Sequence, residues 1–315
     1  MVQEKHNDSV AAAIAWLMLG VTGGLGLDLS AKELLRTYSL EQFVFLRSFV
    51  GLLLFLMLAR QFGGFSSLRT DRWPWHLLRT VLASGAMFGF FYGLSRLPLV
   101  DTLTLGFTAP LIATALSAPC LGEQVGWRRW SAVIVGFAGV MIVLRPGSGI
   151  FSPASLAVLV AAFCYASMAI TSRHLGRTES TFALSVYVVV GPMLAAALLS
   201  NRTNWIAPDA AGWLLFLIAG ACSVVAWIGI VGGYRRASPA VLSPFEYTAL
   251  VGGAVAGYLF WNEVPDRWVI VGAAVIIASG VFVAFREIGS AVSSRYLRAS
   301  TAAVAPAIKS ASPRD

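Results

Sequence analysis

LGEQVGWRRWSAVIVGFAGVMIVLRPG, residues 121–147, reads as a short turn followed by one long apolar run. Residues 261–285, WNEVPDRWVIVGAAVIIASGVFVAF, repeat that order: a glutamate, a turn with a tryptophan, then a glycine-containing span. Glu123 and Glu263 are 140 residues apart, while Trp127 and Trp268, like Gly139-Val140 and Gly280-Val281, are 141 apart. The echo runs upstream. Thr108-Ala109 falls opposite Thr248-Ala249, and KELLRT (32–37) is matched by RHLGRT (173–178). A repeat of this length points to two structural copies in one chain.

The solvent for these runs follows from composition. The 315 residues are 57% hydrophobic and 12% charged, with a mean hydropathy of +0.76, whereas soluble domains carry about 25% charged residues. A helical span needs about 20 mostly apolar residues. Ten runs qualify, near 10–27, 43–60, 76–95, 99–121, 131–145, 153–171, 182–200, 211–233, 238–261 and 268–285. They are too long for the alternating strands of a barrel.

The expected fold is therefore an all-α membrane protein of ten transmembrane helices. Residues 10–147 and 150–287 form two five-helix repeats around a central cavity. They are flanked by a cytoplasmic N-terminus (1–9) and a disordered cytoplasmic tail (288–315). Five spans per copy is an odd number, so the second copy enters the bilayer inverted. Inverted repeats are a signature of alternating-access carriers with a midplane solute site.

The net charge of +8 has a topological explanation. With ten spans and the N-terminus inside, fifteen Lys and Arg fall in inside segments and six in outside ones, as the positive-inside rule requires. Both termini are thus expected in the cytoplasm, and no nucleic-acid partner is implied. The first ten residues lack a uniformly basic n-region and no cleavage site follows, so the first run is read as a span. Cys120, Cys164 and Cys222 lie inside spans without metal-ligand spacing and read as packing residues.

The two Glu-turn-Trp-Gly blocks and the paired layout resemble the EamA family of the drug/metabolite transporter superfamily, across about residues 10–287. FLRSFVGLLL (45–54) is similar to that family's second span, with Arg47 at its usual arginine. The resemblance implies a bacterial inner-membrane carrier that moves a small organic metabolite and uses no cofactor. SPFEYTAL (243–250) resembles members associated with riboflavin or S-adenosylmethionine uptake. Export of amino acids or their derivatives is the alternative. The expected partners are the solute and the lipid bilayer, with a homodimer left open.

Glu246 is the leading site candidate. A charge inside a span costs about 2.5–3.5 kcal/mol on insertion scales, so such a residue faces a wet cavity or a partner. Pro244 removes a backbone donor just upstream and is expected to kink the helix. Glu246 can bind a cationic or amide group of the solute, take up a proton, or serve as a structural carboxylate.

Aromatic residues on the expected cavity spans are Trp16, Phe88, Phe91, Tyr92, Phe107, Phe163, Tyr165, Trp227 and Tyr247. Their faces suit a flat or cationic solute, although for any single one lipid contact or core packing is the commoner role. Tyr92, Trp227 and Tyr247 also carry a polar atom. Substrate-binding candidates are Glu246, Tyr247, Tyr92, Trp227, Phe107, Tyr165 and Trp16.

Arg47, Glu123 and Glu263 read as gating or structural charges. Arg47 is expected to snorkel outward or to pair with Asp101 or Glu41. The two glutamates are expected to cap the next helix or to pair with Arg128 and Arg267. His76 reads as interfacial. Gly20/Gly24, Gly85/Gly89/Gly93 and Gly253/Gly257 have the spacing of close helix contacts. There is no P-loop, HExxH or GxSxG, and outside Glu246 and Arg47 the span interiors are nearly bare of polar groups. An integral membrane enzyme and a channel, which needs polar rings, are the less favoured classes.

Overall fold

The computed structural model describes residues 2–62, 64, 70, 72–122, 126–145, 152–175, 179–200, 204–237 and 239–282. Glu123 and the C-terminal tail lie outside these residues. Twelve α-helices are described: α1 Val2–Leu34, α2 Leu40–Met57, α3 Trp73–Leu94, α4 Leu99–Gly106, α5 Ala109–Leu121, α6 Trp127–Leu144, α7 Pro153–Leu175, α8 Thr181–Leu199, α9 Ala210–Tyr234, α10 Pro239–Glu246, α11 Thr248–Trp261 and α12 Arg267–Phe282.

Eight stretches are long and apolar enough to cross a membrane, the fourth of them (Leu99–Cys120) joining α4 and α5. The protein is thus a multi-pass, all-helical membrane protein. The expected ninth run is divided into α10 and α11. The tenth, α12, is a shorter apolar helix within the described residues.

Local chemistry sets the helix ends. Ser39 accepts the Gln42 amide at the start of α2, Ser180 accepts that of Ala183 at α8, and Asp209 accepts that of Gly212 at α9. These side chains satisfy donors that a helix start leaves unpaired. Helices α5 and α11 both stop on a left-handed residue, Gly122 (φ 66°) and Asn262 (φ 55°), residue types that tolerate this region.

The interruptions inside α4–α5 and α10–α11 carry the same local bond. Thr108 donates its hydroxyl to the Leu105 carbonyl (2.7 Å) and Thr248 donates its hydroxyl to the Phe245 carbonyl (2.6 Å). Each hydroxyl takes a carbonyl from the helical ladder. Pro244 is the expected site of a kink. Pro244 lies inside α10, and the break comes three residues later at Tyr247.

Helix α1 packs along α9, and α3 along α7. Small residues allow backbone-to-backbone approach at both seams. A Cβ on Gly229 would sit 2.3 Å from the Gly20 nitrogen, and one on Gly89 would sit 2.6 Å from the Ala157 carbonyl oxygen. By contrast, a Cβ on Gly24 meets nothing within 4 Å.

Gly229→Ala is therefore expected to destabilise the protein by about 1–3 kcal/mol through overpacking. Gly24→Ala should stay within about 0.5 kcal/mol of wild type. Melting of the two detergent-purified variants separates these outcomes, and equal melting would remove the tight seam. Cys222 and Cys164 fill matching roles, their sulfurs 2.9 Å from where a Cβ would stand on Gly26 and Gly85.

Two polar clusters tie the halves together away from the centre. At one end Lys32 Nζ meets Glu263 Oε1 at 2.5 Å and donates to the Leu97 carbonyl at 3.1 Å. The Leu99 amide donates to Glu263 Oε2 at 2.9 Å. Arg145 pairs with Asp266 nearby, and its guanidinium holds that carboxyl below the usual carboxylate range. Glu263 thus pairs with Lys32, not with Arg267 as expected, because the chain fold brings α1 against the end of α11.

At the opposite end His76 Nε2 lies 3.3 Å from Glu179 Oε2, and Thr70 donates to Glu179 Oε1 at 2.9 Å. His76 is 1% exposed. The expected interfacial histidine is instead enclosed, its ring 4.4 Å from that of Tyr187.

Candidate functional site

A cavity of about 470 Å³ lies at the centre, walled by residues from both halves of the chain. That volume is in the range of small-molecule sites, about 300–1,000 Å³. Most of the wall is apolar, and Gly20, Gly24, Ala83, Ala86 and Gly106 keep it open by having little side chain. The tight glycine seams bring α1, α3, α7 and α9 together around this space.

Glu246 ends α10 one residue before the break and lines the cavity. The Tyr234 hydroxyl donates to its Oε1 at 2.7 Å. Trp227 lines the wall and donates its indole N–H to the Ser185 hydroxyl at 2.6 Å. Phe107 sits at the α4–α5 break, and Tyr165 is half exposed toward the lumen from α7. Phe90 and Phe91 complete an aromatic lining.

Three aromatic candidates lie elsewhere. Tyr247 is buried behind Phe107, ring centroids 5.0 Å apart, with its hydroxyl end directed at Gly280. Tyr92 lies under the Arg96 guanidinium, 3.9 Å from its ring. Trp16 packs on Gly232 with Arg236 over its ring at 5.0 Å. None of the three is on the cavity wall. A rotation of one residue along a helix turns the side chain by about 100°, enough to move Tyr247 off the wall that Glu246 faces. Phe88 packs into the core and Phe163 is exposed.

Arg47 is also on the wall, only 5% exposed, with its Cζ 5.8 Å from the Phe91 ring centroid. It neither snorkels outward nor pairs with Asp101 or Glu41. Its electrostatic partner is Asp28 of α1, a cavity residue that the sequence reading passed over. The signal was weak, since Asp28 falls just past the first apolar run as read from sequence, whereas the structure carries the span on to Leu34. It sits close enough to Lys32 and Glu33 to read as the polar end of a span.

Two stretches, residues 10–145 and 152–285, match the EamA-like transporter family. The chain belongs to the EamA-like transporter family. An S-adenosylmethionine uptake transporter of Rickettsia bellii is 28% identical over 89% of this chain and 97% of that protein. A riboflavin transporter of Vibrio cholerae is 32% identical over 74% and 79%. A pseudopaline exporter of Pseudomonas aeruginosa is 27% identical over 79% and 87%.

A crystal structure of 17% identity overlays with a TM-score of 0.60 across 88% of this chain and 96% of that one, which supports the fold. Family and relatives alike are transporters of small solutes, and this EamA-like chain is a small-solute transporter, not an enzyme. The central cavity of an EamA-like chain is accordingly the place to look for its solute.

Proposed function

We propose that residues 10–147 and 150–287 are inverted copies that rock about the cavity and open it to the two membrane faces in turn. The seams support this reading. Gly89 packs on Ala157 and Ala161, as Gly229 packs on Trp16 and Gly20. Gly93 packs on Ala154 and Val158, as Gly233 packs on Ala13 and Leu17. The α3 and α9 positions are 140 apart and the α1 and α7 positions 141 apart, the separations seen in the sequence. Helices α4 and α10 have eight residues each and also begin 140 apart. The Lys32–Glu263 and His76–Glu179 pairs then act as latches at opposite ends of the pathway.

The setting is the bacterial inner membrane, with both termini cytoplasmic and the exposed apolar belt against lipid. The solute is a flat-ringed metabolite bearing a positive charge, with S-adenosylmethionine the leading choice. One observation carries this: Glu246 projects into an aromatic-walled cavity with one oxygen held by Tyr234. A carboxylate fixed in an apolar-lined, π-faced space favours a cation such as a sulfonium over a neutral ring. Trp227, Phe107 and Tyr165 supply stacking surface. Proton exchange at Glu246, or the solute gradient alone, drives the cycle.

Riboflavin is the second reading, favoured by the 32% identity to a riboflavin transporter. Proteoliposomes given radiolabelled S-adenosylmethionine or riboflavin decide between them. S-adenosylmethionine should accumulate well above empty vesicles, and riboflavin should not compete at equal concentration. Accumulation of riboflavin alone would replace the first reading by the second.

A further inference from the structure

We propose that Asp28 and Arg47 form a two-charge clamp for the carboxylate and ammonium groups of an amphoteric solute, the α-amino-acid end of the molecule. The inference rests on the transport reading of the cavity and adds which groups read which end. Helices α1 and α2 are joined by a short turn, so their facing ends share one depth. Asp28 lies six residues before the end of α1 and Arg47 seven residues after the start of α2. At about 1.5 Å per residue both sit roughly 9–11 Å in from that end. Both line the cavity.

Their bonding state points to a ligand. Among the described residues Arg47 Nε is buried without a hydrogen-bond partner. No direct ion pair or hydrogen bond joins Arg47 to Asp28, although the two charges are electrostatically coupled. A structural pair in this same protein closes to contact, as Lys32 and Glu263 do at 2.5 Å. Asp28 and Arg47 instead stay apart on the cavity wall, Asp28 partly open and Arg47 buried with its Nε unpaired. Glu246 differs, since Tyr234 already occupies one of its oxygens.

The two chemistries are complementary to one class of group. A guanidinium offers a planar fork of donors that fits a carboxylate bidentately. An ionised carboxylate only accepts, and an ammonium only donates. Opposite charges side by side welcome a dipolar ion, whereas Arg47 repels a plain cation and Asp28 a plain anion. Phe91 against the guanidinium helps hold its plane.

The test is equilibrium binding to the purified full chain with four probes: S-adenosylmethionine, its decarboxylated form, 5′-methylthioadenosine, which lacks the amino-acid end, and riboflavin. Wild type should hold S-adenosylmethionine at least about tenfold tighter than the decarboxylated form, as expected for a charged bidentate contact. Arg47→Gln should erase that preference. Asp28→Asn should weaken both ammonium-bearing probes about tenfold and change 5′-methylthioadenosine far less. Should Arg47→Gln fail to fold, the Asp28→Asn comparison between S-adenosylmethionine and 5′-methylthioadenosine decides alone. A wild type indifferent to the carboxylate, or variants that keep the wild-type preference, overturns the clamp. Riboflavin bound alone overturns the clamp while the transporter reading stands. No binding of any probe, with no flux, overturns the clamp and the assigned solutes together.

Discussion

Glu246→Gln should lower S-adenosylmethionine uptake into proteoliposomes by about 10- to 100-fold, the equivalent of losing a charged hydrogen bond of about 1.5–3 kcal/mol. The substitution isolates charge from shape. Glutamine keeps the side-chain length and an acceptor for the Tyr234 hydroxyl, so the end of α10 stays in place. What is lost is the full negative charge inside an apolar, aromatic enclosure, where electrostatic interactions are least screened. Flux measured with and without a pH gradient separates two roles. If Glu246 only binds the solute cation, wild-type flux is indifferent to the gradient and the variant is slow under both conditions. If Glu246 also carries the proton, the gradient accelerates wild type and leaves the variant unmoved. Tyr234→Phe removes only the orienting hydroxyl and should cost less, about 3- to 10-fold, for a net hydrogen-bond value near 1 kcal/mol. Normal transport by Glu246→Gln under every gradient would remove Glu246 from both roles.

The two stretches that match the family, 10–145 and 152–285, were legible in the sequence because they are written in local terms. Apolar run lengths, the Glu-turn-Trp pattern and separations of 140–141 residues need no knowledge of what touches what. Glu246 was legible for the same reason, as a carboxylate in the middle of an oily run. The site's other charges were harder to place, because their meaning lies in pairings across distant helices. Asp28 looked like a span boundary until α2 was seen to bring Arg47 to its depth. His76 sat beside Arg72 and looked interfacial, yet it meets Glu179 more than a hundred residues away. Tyr247 was favoured for its closeness in sequence to Glu246. One position along a helix is enough to turn it into the core against Phe107. Trp227 and Tyr165, chosen by residue type and span, do line the cavity, whereas Trp16, Tyr92 and Phe163 on the four crowded helices do not, because residue type alone does not fix which way a helix face turns.

Glu263→Ala should destabilise the detergent-purified protein by about 3–5 kcal/mol, the cost of stranding one member of a largely enclosed ion pair. Glu263 joins α11 to the other half through two atoms at once, Oε1 to Lys32 and Oε2 to the Leu99 amide. Removing it leaves the Lys32 ammonium, 11% exposed, with the Leu97 carbonyl and the Trp261 ring, and leaves a helix-start amide unpaired. Lys32→Met alone should cost less, because Glu263 keeps its amide donor and is itself 22% exposed. The double variant Lys32→Met/Glu263→Leu should regain much of the loss, since an apolar pair of similar volume commonly equals or exceeds the ion pair it replaces. The same recovery need not extend to transport. In the proposed cycle the latch must release, and an apolar pair that packs well gives no charge for water or solute to attack during opening. Thermal melting of the two single variants and the double variant measures the first effect, and proteoliposome flux measures the second. A Glu263→Ala protein that melts with wild type and transports at its rate would show that the 2.5 Å contact contributes neither to stability nor to gating.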